Sequence, residues 1–428
     1  MASRLLQYTP YKSGIRTFLR RAAYHDYVRF ATPGEHFLIH TSVTGSSPFA
    51  HVDLLGGTAR IPLNSPKVIG AVTSRGERQQ QEDFYAYVAL SLDPEELRLT
   101  LKKALHVDWD PTAIPQILAR QVLFVGIYDG HGGSTVSQFL RQELHGLLEN
   151  VNKSQIPDVY VWATELGGYF KRFRGGVLAP WVRPNAPEAA TKMDLEARAT
   201  LAFFEVDRTL SIEQAAHTCG ATASVVLLQS LDDPSHPFFI SRKLALTVAH
   251  VGDTRVILSK TENGEVLPMT ENHHADTRVE ATRLRRMMSS SQAMDSFGEV
   301  RWMGALANTR SLGDLQYKRF GVTPEPEVRT KLLDGSAYSH ITLVSDGISS
   351  VVSDNEISDL ARGASTPQHA AQRILRFAED MGSDDNLTAL VVPLAGWGHM
   401  TGEDRTRDLR EYRRRRMEGS ERQKARWM

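Results

Sequence analysis

Beginning near Ser65, the chain is punctuated by short apolar runs of strand length, each closed by turn residues, and this rhythm restricts the fold more than any other feature. The runs are Val68 to Thr73, Phe84 to Leu90, Gln121 to Tyr128, Ala221 to Leu228, Lys243 to His250, Thr254 to Ser259, Ile341 to Ser345 and Leu387 to Val392. They read as strands. Helical spacing is clearest over 194–214, where Leu195, Ala199, Ala202, Phe203, Val206 and Leu210 recur on one face, and further helical patterns cover 134–149, 277–288 and 367–379. Strands and helices do not alternate one for one. Sandwiched sheets flanked by helices therefore suit the pattern better than a doubly wound parallel sheet.

The 428 residues are 41% hydrophobic and 23% charged, enough to bury a substantial core. Lys plus Arg equals Asp plus Glu at 50 each, but the balance is uneven along the chain. Residues 1–30 hold six basic residues and one acid, residues 403–428 hold ten basic and six acidic, and the body between them is acidic by nine. That body opposes capture of a polyanion, so no nucleic-acid partner is expected. The single cysteine, Cys219, excludes an intramolecular disulfide framework. No apolar run approaches the roughly 20 residues of a membrane span.

At the N-terminus, Thr9 and Pro10 open a helical pattern with Tyr11, Ile15, Phe18, Leu19 and Ala22 on one face and Lys12, Arg16 and Arg20 on the other. With no acid before Asp26, this is the composition of a mitochondrial presequence. The organisation expected is a presequence over 1–30, a linker over 31–64, one catalytic-size domain over 65–396 with an insertion at 154–190, and a basic helical or disordered tail over 397–428.

The chemistry is concentrated in isolated acids at run boundaries. Glu82-Asp83 opens the second run, Asp129-Gly130-His131-Gly132-Gly133 closes the third, Gly252-Asp253 follows the fifth, Asp346-Gly347 follows Ile341 to Ser345, and Asp385-Asn386 precedes the last. Carboxylates pressed against apolar strand ends are costly to desolvate and repel one another unless cations intervene. All-oxygen donors with little His or Cys favour Mg²⁺ or Mn²⁺ over zinc.

These segments resemble the motifs of the metal-dependent serine/threonine protein phosphatases of the type 2C family, in family order. So do Arg78 ahead of Glu82, Cys219-Gly220-Ala221-Thr222-Ala223, the stretch Gly304 to Asp314, Pro324 to Val328, and Ser345-Asp346-Gly347. The resemblance spans about 68–393 and implies an α+β fold, a central β-sandwich of two antiparallel sheets with helices on both outer faces. It implies two ions, with Asp129 bridging, Glu82 and the Gly130 carbonyl completing one shell, and Asp346 and Asp385 completing the other. A hydroxide activated by both ions would attack a phosphate held by the fork of Arg78, while His131 protonates the leaving alkoxide. Asp83 is expected to hold a ligand or a water, and Asp253 resembles a residue tied to a third metal. The acid that accompanies it in the family, four positions beyond Asp346, is Ser350 here.

Other residues receive plainer readings. Cys219 lacks an Arg six positions on and reads as a packed core thiol. Arg310 and Asp314 are expected to pair with each other, His273 and His274 to be flap or surface histidines, and the Arg405 to Arg426 stretch to be a solvated helix or frayed tail. The function expected is removal of phosphate from phosphoserine or phosphothreonine of partner proteins, by a monomeric mitochondrial enzyme. A pseudophosphatase scaffold that binds phosphoproteins is the alternative.

Overall fold

A computed structural model describes residues 24–31, 58–183, 191–285, 292–294 and 300–424. The strands are β1 (Tyr27–Ala31), β2 (Thr58–Pro62), β3 (Gly70–Ser74), β4 (Phe84–Ser91), β5 (Gln121–His131), β6 (Gly220–Ser230), β7 (Lys243–Val251) and β8 (Arg255–Lys260). They continue with β9 (Val266–Pro268), β10 (Gln292–Met294), β11 (Val300–Trp302), β12 (Leu312–Gly313), β13 (Glu327–Asp334), β14 (Tyr338–Val344) and β15 (Leu387–Pro393). The α-helices are α1 (Pro94–Leu105), α2 (Gln116–Ala119), α3 (Thr135–Phe139), α4 (His145–Asn150), α5 (Ile156–Glu165) and α6 (Leu195–Leu210). After them come α7 (Arg278–Leu284), α8 (Leu315–Lys318), α9 (Asp346–Ser349), α10 (Asp354–Ala361), α11 (Pro367–Asp380) and α12 (Arg407–Lys424).

Two antiparallel sheets carry the fold. One runs in the order β13-β7-β6-β5-β4 with β12 on β6, and the other in the order β3-β15-β14-β8-β9. Side chains alternate across each strand, and the burial follows that period. In β5, Leu123, Val125 and Ile127 face the opposite sheet and meet Val256, Leu258, Ile341, Leu343 and Leu390, whereas Val122, Phe124 and Tyr128 face α6 and its neighbours. In the second sheet Ile257, Val344, Ala389 and Val391 point outward beneath α10 and α11. The result is four layers, helix, sheet, sheet and helix.

The helices form where their ends are satisfied. Asp194 caps α6 by accepting from the Ala197 amide at 2.8 Å, and Thr366 caps α11 with Pro367 in the first turn. The segment expected as an insertion contributes to the core: Ile156, Val159, Ala163, Phe170, Leu178 and Trp181 are buried with α6, and Phe170 meets Phe204 edge to face at 6.3 Å. Residues 184–190 lie outside the described residues, as do residues 1–23 of the expected presequence helix. Strand β1 overlaps the range given to the presequence, yet it pairs with β2 and buries Val28, and His25 just before it bridges to Ala89 of β4. The tail is ordered as α12 and docks on the helical layer, where Arg413 reaches both Glu356 carboxylate oxygens at 2.7 and 2.8 Å and Arg410 pairs with Asp404. No helix among the described residues is long and apolar enough to cross a membrane.

His145, at the start of α4, is buried between Tyr24 and Phe124, and its Nδ1 has no hydrogen-bond partner among the described residues. Burial without a partner holds its imidazole down at about 4. The neutral ring is thus favoured in the fold, while the unfolded chain takes up a proton below about 6.5. Stability from this group is complete above pH 6.5 and lost as pH falls towards 4, at most about 3 kcal/mol by linkage. Urea denaturation of wild type and His145→Leu at pH 7 and pH 4.5 should show wild type losing ground to the variant at the lower pH.

Candidate active site

The strand register brings the acids to one end of the sandwich. Tyr128 of β5 opposes Phe84 of β4, Ala223 of β6 opposes Val251 of β7, and Val344 of β14 opposes Ala389 of β15. The residues just beyond these pairs are Asp129, Asp83, Gly252-Asp253, Ser345-Asp346 and the Asp385-Asn386 turn. One oxygen each from Asp129, Asp253 and Asp346 lies within 4.8 Å of the others. The Asp346 amide donates to Asp129 Oδ2 at 3.3 Å, fixing the start of α9 against the end of β5.

Electrostatics follow from this crowding. Burial first, then the charges of Asp346, Asp83 and Asp253, push the Asp129 carboxyl well above its ordinary range. Burial and the charge of Asp253 likewise raise Asp346. Asp83 is buried with neither oxygen in a regular hydrogen bond, and its carboxyl is raised by burial more than the Ser345 and Thr388 hydroxyls lower it. Burial works against ionisation of Asp253, but the hydrogen bond and charge of His274, whose Nε2 lies 3.2 Å from Oδ2, together with Asn308 and His250, more than offset it and hold the carboxyl low. Three converging carboxylates, two of them pushed up by burial and by their neighbours' charges, and the buried Asp83 beside them form a hard-oxygen donor set that fits a divalent cation.

Glu82 and Asp385 stand at the rim and are not among the three gathered acids. The Glu82 amide donates to Asn386 Oδ1 at 2.6 Å, and Asn386 Nδ2 donates to the carbonyls of Arg75 and Gln80, so one side chain pins the loop that carries both Arg78 and Glu82. Arg78 is exposed and donates to Asp385 Oδ2 at 2.8 Å. Gly347 is required by crowding, since a Cβ there would stand 2.0 Å from the Asn386 carbonyl oxygen. Gly130 lies between Asp129 and His131 at the end of β5, opposite Ala221.

His131 Nε2 lies 2.8 Å from Asp314 Oδ2. Burial lowers the imidazole pKa, but the Asp314 carboxylate outweighs it and raises the group above its ordinary value. The expected pairing of Arg310 with Asp314 is therefore corrected: Arg310 reaches the buried Glu280 at 2.6 and 2.9 Å, which also binds Arg283. His273 is buried and stacked on His250 at 4.8 Å, so it is not a surface residue, and His274 sits on Asp253. Cys219 is buried, with Sγ donating to the Gly132 carbonyl at 2.7 Å. Asp314, His274 and Asn386 are the site residues that sequence reasoning undervalued. For Asp314, the signal was a Gly-Asp turn after an apolar residue, the same signal that marked Asp253.

Comparison with known proteins agrees with this geometry. The Protein phosphatase 2C family pattern matches residues 170–387. Protein phosphatase 2C homolog 4 of Schizosaccharomyces pombe is 31% identical over 402 residues, covering 92% of this chain and 96% of that protein. The mitochondrial Protein phosphatase 1K of Xenopus laevis is 26% identical, covering 80% of this chain and 72% of its own. Among solved structures, a serine-threonine phosphatase 2C from Toxoplasma gondii shares the fold at TM-score 0.50 and 18% identity, over 76% of this chain and 94% of that one. The chain belongs to the protein phosphatase 2C family. It is a metal-dependent protein serine/threonine phosphatase, a hydrolase of phosphorylated proteins.

Removing one of the crowded charges should relieve repulsion in the absence of metal. Asp129→Asn and Asp346→Asn, treated with EDTA at pH 7, should each unfold at higher temperature than wild type, by about 1–3 kcal/mol of stability. Both should also lose the rise in melting temperature that Mn²⁺ gives wild type. A variant that melts lower than EDTA-treated wild type would contradict the crowding.

Proposed function

We propose that Asp129, Glu82 and the Gly130 carbonyl hold one Mg²⁺ or Mn²⁺, that Asp129, Asp346 and Asp385 hold a second, and that the pair serves hydrolysis of phosphoserine and phosphothreonine. The observation that carries the reading is the meeting of Asp129, Asp253 and Asp346 at one end of the sandwich with the Asp129 and Asp346 carboxyls pushed up. Divalent ions supply Lewis acidity there, making hydroxide accessible near neutral pH and offsetting the charge of the phosphate.

The chain's own residues do the remaining work. Arg78, exposed beside Asp385, presents a planar fork to two phosphate oxygens, a geometry that Lys cannot copy. His131 gives a proton to the departing serine or threonine oxygen, which is a poor leaving group as an alkoxide. Asp83 orients groups around Glu82 and Asp385, and Asp253, 3.2 Å from His274, is the acid available to a third, weaker ion. The enzyme acts as a monomer. The basic segment ahead of β1 directs it to mitochondria, a reading supported by its acid-free composition and by relatives named as mitochondrial.

The full chain should release phosphate from a phosphothreonine peptide with Mn²⁺ and stop with EDTA; metal binding without release would overturn the proposal. Arg78→Lys should lower kcat/KM by about tenfold or more while leaving the melting temperature within a degree or two, since a solvated side chain is exchanged for another. Residues 1–30 fused to a fluorescent protein should enter mitochondria, and replacing Arg16, Arg20 and Arg21 by Glu should leave the fusion in the cytosol.

A further inference from the structure

We infer that Asp314 is a positioning residue for the phosphatase reaction: it holds Nε2 of His131, so that Nδ1 is the ring nitrogen presented to the leaving oxygen. The inference rests on the reading of His131 as proton donor. An imidazole has two nitrogens, and a partner on one fixes the role of the other. With Nε2 taken at 2.8 Å, Nδ1 is what remains for substrate.

The pair is built into the fold. His131 opposes Gly220 in the β5–β6 register, and a Cβ on that glycine would stand 2.1 Å from Asp314 Oδ2 and 2.5 Å from His131 Nε2. Any side chain there would separate the two groups. Asp314 itself sits in the left-handed region at φ 50°, donates its amide to the Cys219 carbonyl at 2.9 Å, and accepts from Ser311 Oγ at 2.6 Å on the same oxygen that faces the ring. Behind it Lys318 is wholly buried, donates to the Ser311 carbonyl at 2.6 Å and lies 2.8 Å from Asp207 Oδ2, while Asp207 Oδ1 accepts from the Gly313 amide.

Exposure separates this arrangement from an ordinary structural ion pair. The Asp314 side chain is 0% exposed and the His131 side chain 35%, so the carboxylate is locked in the interior while the ring keeps an open side. A buried acceptor of fixed direction orients a half-open ring, as partners of functional histidines generally do.

The test uses the full chain with Mn²⁺ and two substrates, a phosphothreonine peptide whose alkoxide needs a proton and p-nitrophenyl phosphate whose phenolate needs little help. Asp314→Asn should lower kcat on the peptide by about 10- to 100-fold, within the range general acids supply, and on p-nitrophenyl phosphate by at least fivefold less, with KM for the peptide changed by less than about threefold. His131→Asn should show the same selectivity more strongly, and the double variant should be no slower than His131→Asn alone. Should Asp314→Asn fold poorly, Ser311→Ala should give the same selectivity at several-fold smaller size. In the metal-free wild type, ¹⁵N-resolved NMR should show a hydrogen-bonded His131 Nε2–H resonance that Asp314→Asn lacks. If His131→Asn slows both substrates alike, the proton-donor reading fails. If His131→Asn is selective but Asp314→Asn and Ser311→Ala are not, or if wild-type Nε2 carries no proton, the role given to Asp314 is overturned.

Discussion

Mutual repulsion of carboxylates at strand ends is the constraint around which this molecule is organised. Asp129 lies near the end of β5 directly after Tyr128, Asp253 and Asp346 lie just past the ends of β7 and β14, and Tyr128, Val251 and Val344 are completely buried. None of the three acids can retreat without pulling an apolar side chain away from the helical layer that covers it. Two unit charges 4–5 Å apart at an intermediate dielectric repel by about 3–4 kcal/mol. The protein relieves this in two ways: Asp129 and Asp346 take up protons more readily, and Asp253 is given a histidine. Divalent cations held there would relieve it in a third way, tying catalysis to the same force that opposes folding of this edge.

The surrounding layers supply the rigidity that such a site requires. Asp346 is the first residue of α9, and two residues after that helix the Val351 carbonyl accepts from Arg413 of α12, which also binds the buried Glu356 of α10. The basic tail is thus a brace on the segment that carries Asp346. On the other face, the aromatic cluster of Phe170, Phe173 and Phe204 joins the 154–183 segment to α6, whose Asp207 reaches through the Gly313 amide to the Asp314 turn. Helical elements far from the acids in sequence fix their directions.

What could be read from the chain depended on how local the cause was. The apolar runs became β3 to β8, β14 and β15 because alternation and turn residues are local, and the acids could be placed because they adjoin those runs. Strand β13, Glu-Val-Arg-Thr-Lys-Leu-Leu-Asp, escaped notice because it is an edge strand whose residues are mostly half-buried, so its pattern lacks a clean apolar face. Strands β1 and β2 are five residues each and lie on either side of an intervening stretch that gives no pairing signal. Partner choice was least legible. Arg310 chose Glu280, 30 positions upstream, over Asp314 only four away, and Asp314 chose His131, 183 positions upstream. Charge and proximity along the chain predicted neither pair; burial of Glu280 and the bare face of Gly220 decide both.

Within the acid cluster the compensation of charge is unequal, and Ser350 and His274 explain why. Ser350 stands where a further carboxylate would add charge near Asp346, and its amide simply closes the α9 turn onto the Asp346 carbonyl. His274, whose Nε2 lies 3.2 Å from Asp253 Oδ2, leads the contacts that lower the Asp253 carboxyl. With one acid fewer and one histidine more, the Asp253 side of the cluster is largely compensated by the protein itself. The excess negative charge is left at Asp129 and Asp346, whose raised carboxyls mark where a hard cation gains most by binding.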